Sequence, residues 1–227
     1  QFVQATAGSA ALLATAGRAL AAGWPERPIT FVCPWPAGGT ADLTMRALCT
    51  AAGRHLGQTI VVENKAGASG MLGLQAMAAA RPDGYTVGQI PISITRFSQL
   101  GTVKIDPLKD LTYLARTSGQ TFGIAVRAEA PWKTLKDFVA AAKAAPGKLT
   151  YGSAGIGGAT HVGMEEFAAV AGVQFNHIPY KGGAPALQDL LGGQIDSLAD
   201  SSSWAPHVTA GKLRLLATWG EKRTQDF

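Results

Sequence analysis

The stretch Ile29–Leu48, ITFVCPWPAGGTADLTMRAL, decides the fold that this sequence predicts. Its first part, ITFVC, is an uninterrupted apolar run, which is typical of a strand buried on both faces of a sheet. From residue 41 the apolar spacing is that of an amphipathic helix, which Gly57 would end. Two consecutive glycines stand between these parts, where the chain must turn sharply. The stretch therefore predicts a strand, a glycine turn and a helix, the repeating unit of α/β proteins.

The same unit recurs along the chain without a tandem repeat. QTIVVENK and YTVGQIPI predict further strands of a first series, and KLTYGSA, QFNHIPY and QIDSLAD predict strands of a second. Segments near residues 111–118 and 213–219 join the two series. We therefore expect an α/β fold of two lobes connected by two crossing strands, with a cleft between them. Residues 23–112 and 213–227 are assigned to lobe 1, and residues 113–212 to lobe 2.

The composition indicates a folded chain that does not bind nucleic acid. Hydrophobic residues make up 47% of the 227 residues and charged residues only 15%, which disfavours disorder. The formal net charge is +5, but the lysines and arginines are dispersed and form no basic run. We expect these charged side chains to lie dispersed on the solvated surface.

The N-terminal residues have the pattern of an export signal. No acidic residue precedes Glu26, a short apolar stretch covers residues 10–16, and the small residues ALAA follow at 19–22. The apolar stretch is too short to span a bilayer. We expect residues 1–22 to be the remnant of a signal peptide and the protein to be periplasmic, with the Sec and twin-arginine routes both open.

The two cysteines allow two interpretations. Cys33 lies in a predicted buried strand and Cys49 in the following helix. They could form a disulfide in an oxidising compartment or remain two small buried hydrophobic residues. Neither has a CxxC or histidine neighbour, so we expect no metal and no cofactor.

The glycine turns predict a binding site for an anion. Ligands of open α/β sheets bind outside the carboxyl ends of the strands, where the next helix begins. The free N–H groups and positive dipole end of a helix N-terminus suit a carboxylate. In the first lobe the candidates are Ala37, Gly38, Gly39 and Thr40 with Asp42, although Asp42 could simply cap the helix.

The second-lobe loop YGSAGIGGATH offers hydroxyls and bare amides before another helix. It is not a P-loop, because no Lys-Ser/Thr follows the glycines, and it is not a nucleophile elbow, because Tyr151 stands where GxSxG needs glycine. His161 and Glu165 could share a helix face but have no third metal ligand. Arg96 could pair with an acidic ligand or be a solvated surface residue. No nucleophile, base and orienting group come together, so we expect no catalytic residues.

Seven fragments, in this order, resemble one family: WPERPITFVCPWPAGGTADLTMRAL, GQTIVVENKAGASGMLG, ARPDGYTV, DPLKDLTYLA, PGKLTYGSAGIGG, HIPYKGGAPALQDLLGGQID and AGKLRLLATW. The family is that of the extracytoplasmic solute-binding receptors of tripartite tricarboxylate transporters, or Bug-type proteins. The resemblance covers nearly all of the chain from Trp24. It implies a two-lobed Venus-flytrap fold, of the type II-like periplasmic-binding-protein class, that closes on a small carboxylate and delivers it to a membrane permease.

The resemblance also implies the residues of the ligand site and where this chain departs from its relatives. Arg96 is a candidate not from the resemblance but from its predicted place at the carboxyl end of the strand YTVGQIPI. With it, the full set of expected ligand-binding residues is Ala37, Gly38, Gly39, Thr40, Asp42, Ser69, Arg96, Ser153, Gly157, Gly158, Thr160, His161, Asp200 and Ser201. Gly158 replaces a hydroxyl residue of many relatives, and the segment IPISITRFSQ differs, so the ligand is expected to differ as well. We expect a monomer whose first lobe lacks its C-terminal part.

Two other functions remain open from the sequence. A ligand-sensing protein would have the same fold and pass its signal to another partner. An α/β enzyme acting on a carboxylate substrate would use Ser153 or His161 as its catalyst and would turn the substrate over.

Overall fold

The structure is a computed structural model that describes residues 23–117, 119 and 121–220. The expected export signal at residues 1–22 lies outside the described residues. The first lobe contains a parallel sheet with the strand order β2-β1-β3. Its elements are β1 (Ile29–Cys33), α1 (Thr40–Leu56), β2 (Ile60–Asn64), α2 (Met71–Ala78), β3 (Thr86–Gly88) and α3 (Ile94–Gln99). A 3₁₀ turn, Ala68–Gly70, precedes α2.

The second lobe contains a mixed sheet with the strand order β6-β5-β7-β4-β8. The central strand β7 is parallel to β5 and antiparallel to β4. The elements are β4 (Gly123–Arg127), α4 (Leu135–Ala144), β5 (Thr150–Ser153), α5 (Ala159–Ala171), β6 (Asn176–Pro179), α6 (Gly183–Leu191), β7 (Ser197–Asp200), a 3₁₀ turn (Ser202–Trp204), α7 (Ala205–Thr209) and β8 (Leu213–Thr218).

Local signals explain where several helices begin and end. Helix α1 follows the extended residue Gly39 and ends at Gly57, whose φ of 68° is the left-handed conformation that glycine adopts at low cost. Helix α4 begins with a capping box, in which Thr134 and Asp137 bond to each other's backbone N–H groups. The helix predicted from residue 41 to Gly57 therefore forms at its predicted place.

The last described strand corrects one part of the predicted lobe division. We assigned residues 213–227 to lobe 1, but β8 pairs antiparallel with β4 inside the second sheet. The other predicted connection, residues 111–117, contains no strand. Strand pairing depends on long-range register, and the apolar run of β8 gives no information about its partner. The remaining lobe boundaries stay a prediction.

Each sheet has its own buried core. In the first lobe, Phe31, Cys33, Met45 and Cys49 pack between β1 and α1. Both cysteines are free and buried, and burial is the main reason that their pKa values lie above the ordinary thiol value. The structure therefore has them as buried hydrophobic residues rather than as a disulfide. Within the described ranges, no helix has the length and apolar character needed to cross a membrane.

Candidate functional site

The predicted site residues lie at the carboxyl ends of the strands and in the helices that follow them. The first-lobe loops follow β1, β2 and β3, and the second-lobe loops follow β5, β6 and β7. Side chains and glycines of the two sets contact each other directly, so the two edges face one another. The parallel strands place these loops side by side because their carboxyl ends share an edge.

The first-lobe loop presents an uncapped helix N-terminus. Gly39 is the N-cap residue of α1 and supplies no side-chain hydrogen bond to the first turn. Gly38 has a φ of 79°, which a residue with a side chain rarely adopts. Ala37 and Gly38 are exposed, and Thr40 begins the helix half-buried. The N–H groups of this first turn therefore point out of the helix, where the dipole favours an anion.

Asp42 holds this loop instead of facing outward. Its buried carboxylate accepts hydrogen bonds from the Gly38 N–H at 2.9 Å, from Asn64 Nδ2 at 2.7 Å and from Arg46 Nε at 3.0 Å. Burial alone would raise the pKa of Asp42, but the bonds from Arg46, Asn64 and Gly38 together outweigh it and hold the pKa below its ordinary value. Asp42 is thus an ionised positioning group for the loop.

Sequence reasoning missed two members of this network. Arg46 stands four residues after Asp42 on the same helix, a spacing that brings side chains together and that we could have used. Asn64 ends β2, and its side chain also donates to the Trp35 carbonyl at 2.9 Å. No local signal relates Asn64 to Asp42, because their contact depends on the pairing of β1 with β2.

The predicted polar side chains of the second lobe fix the loop from Ala154 to Gly158. Thr160 Oγ1 accepts from the Ala154 N–H at 3.2 Å, and His161 Nδ1 accepts from the Gly157 N–H at 3.1 Å. Gly158, the N-cap of α5, has no side-chain cap. The loop therefore repeats the first-lobe arrangement: backbone amides at a helix start, held from behind by side chains.

A stack of rings supports this second loop. His177 lies against both Tyr151 and His161, with ring centroids 4.7 Å and 4.2 Å apart. Burial is the main cause that lowers the pKa of His177 to about 4, and the nearby His161 is the second cause. His177 is therefore neutral at pH 7. Its Nε2 lies 2.7 Å from Ser153 Oγ, and the tautomer decides which atom donates.

Ser153, whose Oγ contacts this neutral histidine, is fully buried. Glu165, the carboxylate of this cluster, accepts from Tyr151 Oη at 2.6 Å and lies 4.0 Å from His161 Nε2. No group of three metal-ligating side chains occurs in the part of the chain that the structure describes.

Two side chains of the first lobe bond to the second-lobe loop. Ser69 Oγ donates to the Ile156 carbonyl at 2.7 Å. Arg96 Nη2 donates to the Gly157 carbonyl at 2.7 Å. We expected Arg96 at the end of a strand, but it lies on α3, and its guanidinium spans the gap between the lobes. Both predicted site residues are therefore at the cleft, engaged with protein groups.

Asp200 ends β7 beside the N-terminus of α6, and Ser201 follows it. The Asp200 carboxylate is buried against Gly183 and accepts a hydrogen bond from Ser203 Oγ. Burial raises the pKa of Asp200 to about 6. Gly182 packs against Pro36 of the first lobe, a contact that a side chain at position 182 would block. Glycines 182 and 183 were not among our candidates, although the sequence KGGAPA has the same glycine turn as the predicted loops.

Comparison with known proteins identifies the family. Residues 44–227 match the family described as "Tripartite tricarboxylate transporter family receptor". The chain belongs to this family. It is a solute-binding receptor of the tripartite tricarboxylate transporter type, and the predicted family is confirmed.

Curated relatives of this receptor come from several bacteria. A UPF0065 protein of Cupriavidus necator is 46% identical over 99% of this chain and 69% of its own length. BugT of Bordetella pertussis is 32% identical over 95% of this chain and 68% of its own length. The receptor chain thus spans about two thirds of the length of these relatives.

Solved structures of related receptors confirm the two-lobed periplasmic-binding-protein fold. A structure described as a periplasmic transporter has a TM-score of 0.85 at 35% identity. The match covers 89% of this chain and 69% of the transporter chain. The periplasmic binding protein BugD has a TM-score of 0.81 at 33% identity, with coverage of 88% and 68%. MatC of Rhodopseudomonas palustris with bound malate has a TM-score of 0.81 at 27% identity, with coverage of 88% and 69%.

Proposed function

We propose that this receptor captures a small organic acid between its two lobes and delivers it to the permease of a tripartite tricarboxylate transporter. The observation that carries the proposal is the pair of uncapped helix N-termini at the contact between the lobes. Gly39 begins α1 on one side and Gly158 begins α5 on the other, and neither helix has a side-chain cap. A dicarboxylate or hydroxy acid placed between them would receive N–H groups at both ends.

The electrostatics of the loops favour capture without a permanent positive charge. Arg46 and Arg96 are both engaged with protein groups, since Arg46 bonds to Asp42 and Arg96 bonds to the Gly157 carbonyl. The binding groups would then be backbone amides, helix dipoles and bridging waters, which tolerate acids of different shape. MatC holds malate, and another Rhodopseudomonas palustris structure holds adipate, so relatives with this fold bind carboxylates of different length.

The proposal includes where and how the receptor works. It acts in the periplasm as a monomer after removal of the predicted export signal at residues 1–22, and it binds its ligand without converting it. The buried position of Ser153 and the lowered pKa of His177, which makes its ring a weak base, support binding without catalysis. The shared fold with BugD and MatC supports the periplasmic location, because BugD is a periplasmic binding protein.

A thermal-shift screen against organic acids tests this function. Malate, adipate, succinate, citrate and benzoate are each added to the purified protein, and the melting temperature is recorded. A ligand that binds only the native state must raise that temperature. Any hit is titrated by calorimetry, and the acid is recovered after a long incubation. One bound acid per chain, recovered unchanged, supports the receptor; conversion of the acid supports an enzyme, and no shift with any acid argues against carboxylate capture.

A further inference from the structure

Two donors from separate elements of the first lobe bond to consecutive carbonyls of one second-lobe loop. Ser69 follows β2 and bonds to the carbonyl of Ile156, whereas Arg96 lies on α3 and bonds to the carbonyl of Gly157. Both distances are 2.7 Å, which is the ordinary length for the Ser69 hydroxyl and a short one for the Arg96 N–H donor. Adjacent carbonyls of one strand-to-helix loop are thus held by two independent side chains across the gap.

The local structure on the first-lobe side is built to aim Ser69 across the gap. Ala68 and Ser69 have φ values of 47° and 54°, a left-handed conformation that residues with side chains seldom adopt. Ser93 Oγ donates to the Ser69 carbonyl at 3.0 Å, and Ser69 is itself buried. A strained backbone persists only where its surroundings fix it, so the position of this hydroxyl is strongly determined.

The second-lobe side is shaped to receive these donors. A Cβ on Gly155 would lie 2.7 Å from Ser69 Oγ, and one on Gly157 would lie 2.9 Å from Phe97 Cζ. A Cβ on Gly158 would lie 3.3 Å from Ser69 Oγ. The glycines of this loop are therefore required for the close approach of the first lobe, and not only for an approach to a ligand.

We propose that Ser69 and Arg96 are positioning residues that latch the two lobes together and set the fraction of closed receptor. In the structure both side chains bond to carbonyls of the facing loop. The latch shifts the lobe equilibrium before any acid binds. The latch would also slow the release of a bound acid, and this consequence rests on the proposed function. The existence of the latch does not rest on it.

The size of the effect follows from the type of hydrogen bond. A bond with a charged donor contributes enough net free energy to change an equilibrium by about tenfold or more, and a neutral hydroxyl contributes less. In an open receptor, water would solvate the carbonyls of Ile156 and Gly157, so only this net difference counts. We expect removal of the Arg96 side chain to raise the ratio of open to closed receptor by about tenfold, and removal of the Ser69 hydroxyl by about threefold.

The test measures the distance between the lobes in the protein without ligand. Nitroxide labels are placed on Ala51→Cys in α1 and Val170→Cys in α5, both exposed positions, and Cys33 and Cys49 are buried. Pulsed electron resonance then gives the distribution of distances between the labels. The latch predicts that Arg96→Ala increases the long-distance population, that Ser69→Ala does so to a smaller degree, and that Arg96→Lys lies between Arg96→Ala and the parent.

Thr95→Ala is the matched control, because Thr95 lies on the same helix but bonds to the Ile92 carbonyl within its own lobe. Circular dichroism confirms that each variant is folded. A distance distribution that Arg96→Ala and Ser69→Ala leave unchanged would overturn the latch, as would an equal change in Thr95→Ala. Failure of the acid screen would overturn the proposed function alone, because the label distances are measured without acid.

Discussion

Replacing Asp42 with asparagine should unlock the first-lobe loop and destabilise the protein. The buried carboxylate accepts from the Gly38 N–H, from Asn64 Nδ2 and from Arg46 Nε. Asparagine has nearly the same shape but only one acceptor oxygen, and its amide group would face donors. At least one of the three donors must therefore lose its partner, and the ion pair with Arg46 is lost as well.

The magnitude follows from the exposure of the partners. Hydrogen bonds to a charged group contribute about 1.5–3 kcal/mol each, and a donor left buried without a partner adds a penalty of similar size. The Arg46 side chain is 46% exposed, so water replaces much of its bond and its contribution is small. The remaining loss is one of the two bonds from Gly38 and Asn64, together with the negative charge that strengthened both, and we expect the free energy of unfolding to fall by about 2 kcal/mol.

Urea denaturation followed by tryptophan fluorescence and circular dichroism measures this loss. Thr44→Ala is the control, since Thr44 lies on the same helix, is exposed and bonds only within its own turn, to the Thr40 carbonyl at 2.8 Å. Its expected change is within about 0.5 kcal/mol. A loss below about 1 kcal/mol for Asp42→Asn would refute the positioning role of the carboxylate. If that variant does not fold, Arg46→Gln gives a second test, with an expected loss of about 1 kcal/mol.

Three further predictions concern the cleft and the buried titratable groups. Gly39→Val should reduce acid affinity at least tenfold in calorimetry with little change in stability. The φ of −76° at Gly39 suits valine, and a Cβ there would lie 3.5 Å from its nearest neighbour, the Pro36 carbonyl oxygen. An unchanged affinity would remove this loop from the site. Asp200 has a folded pKa of about 6 against an ordinary 3.8, so the folded state binds its proton more tightly and stability falls as pH rises between these values. Asp200→Asn should remove this trend, which approaches about 1.4 kcal/mol per pH unit, and a stability profile that keeps its slope would count against the buried carboxyl. His177 shows the opposite sign, because its folded pKa of about 4 lies below the ordinary 6.5, so stability is lost as pH falls through this range; His177→Gln should lessen that loss in urea melts at pH 4.5 relative to pH 7, and an identical loss would contradict the neutral buried ring.

The sequence predicted the elements of the fold well because its periodic segments are bounded by strong local signals. Gly57 ends α1 where predicted, and the glycine turns stand after β1 and β5 as expected. The partner of β8 could not be predicted, since an apolar strand of six residues is compatible with either sheet. The antiparallel pairing with β4 depends on contacts between segments far apart in the chain.

For the candidate site, the sequence predicted positions better than roles. The loops around Gly38 and Gly158 lie at the contact between the lobes, as the strand-end argument predicted. Thr160, His161 and Arg96 were expected to contact the ligand, and in the structure all three side chains bond to backbone groups of one loop. A polar side chain satisfies the nearest backbone group that the fold supplies, and only the three-dimensional structure shows which group that is. The ligand contacts of the predicted set stay a prediction.

The most direct test of the central claim is a titration of the ¹⁵N-labelled receptor with the acid selected by the thermal-shift screen, observed through backbone amide chemical shifts. Capture between the two uncapped helix starts predicts the largest changes at the amides of Thr40 and Ala41 in one lobe and of Ala159 and Thr160 in the other, all following one binding curve. Large changes in one lobe only, or at amides away from both helix starts, would contradict capture between the lobes.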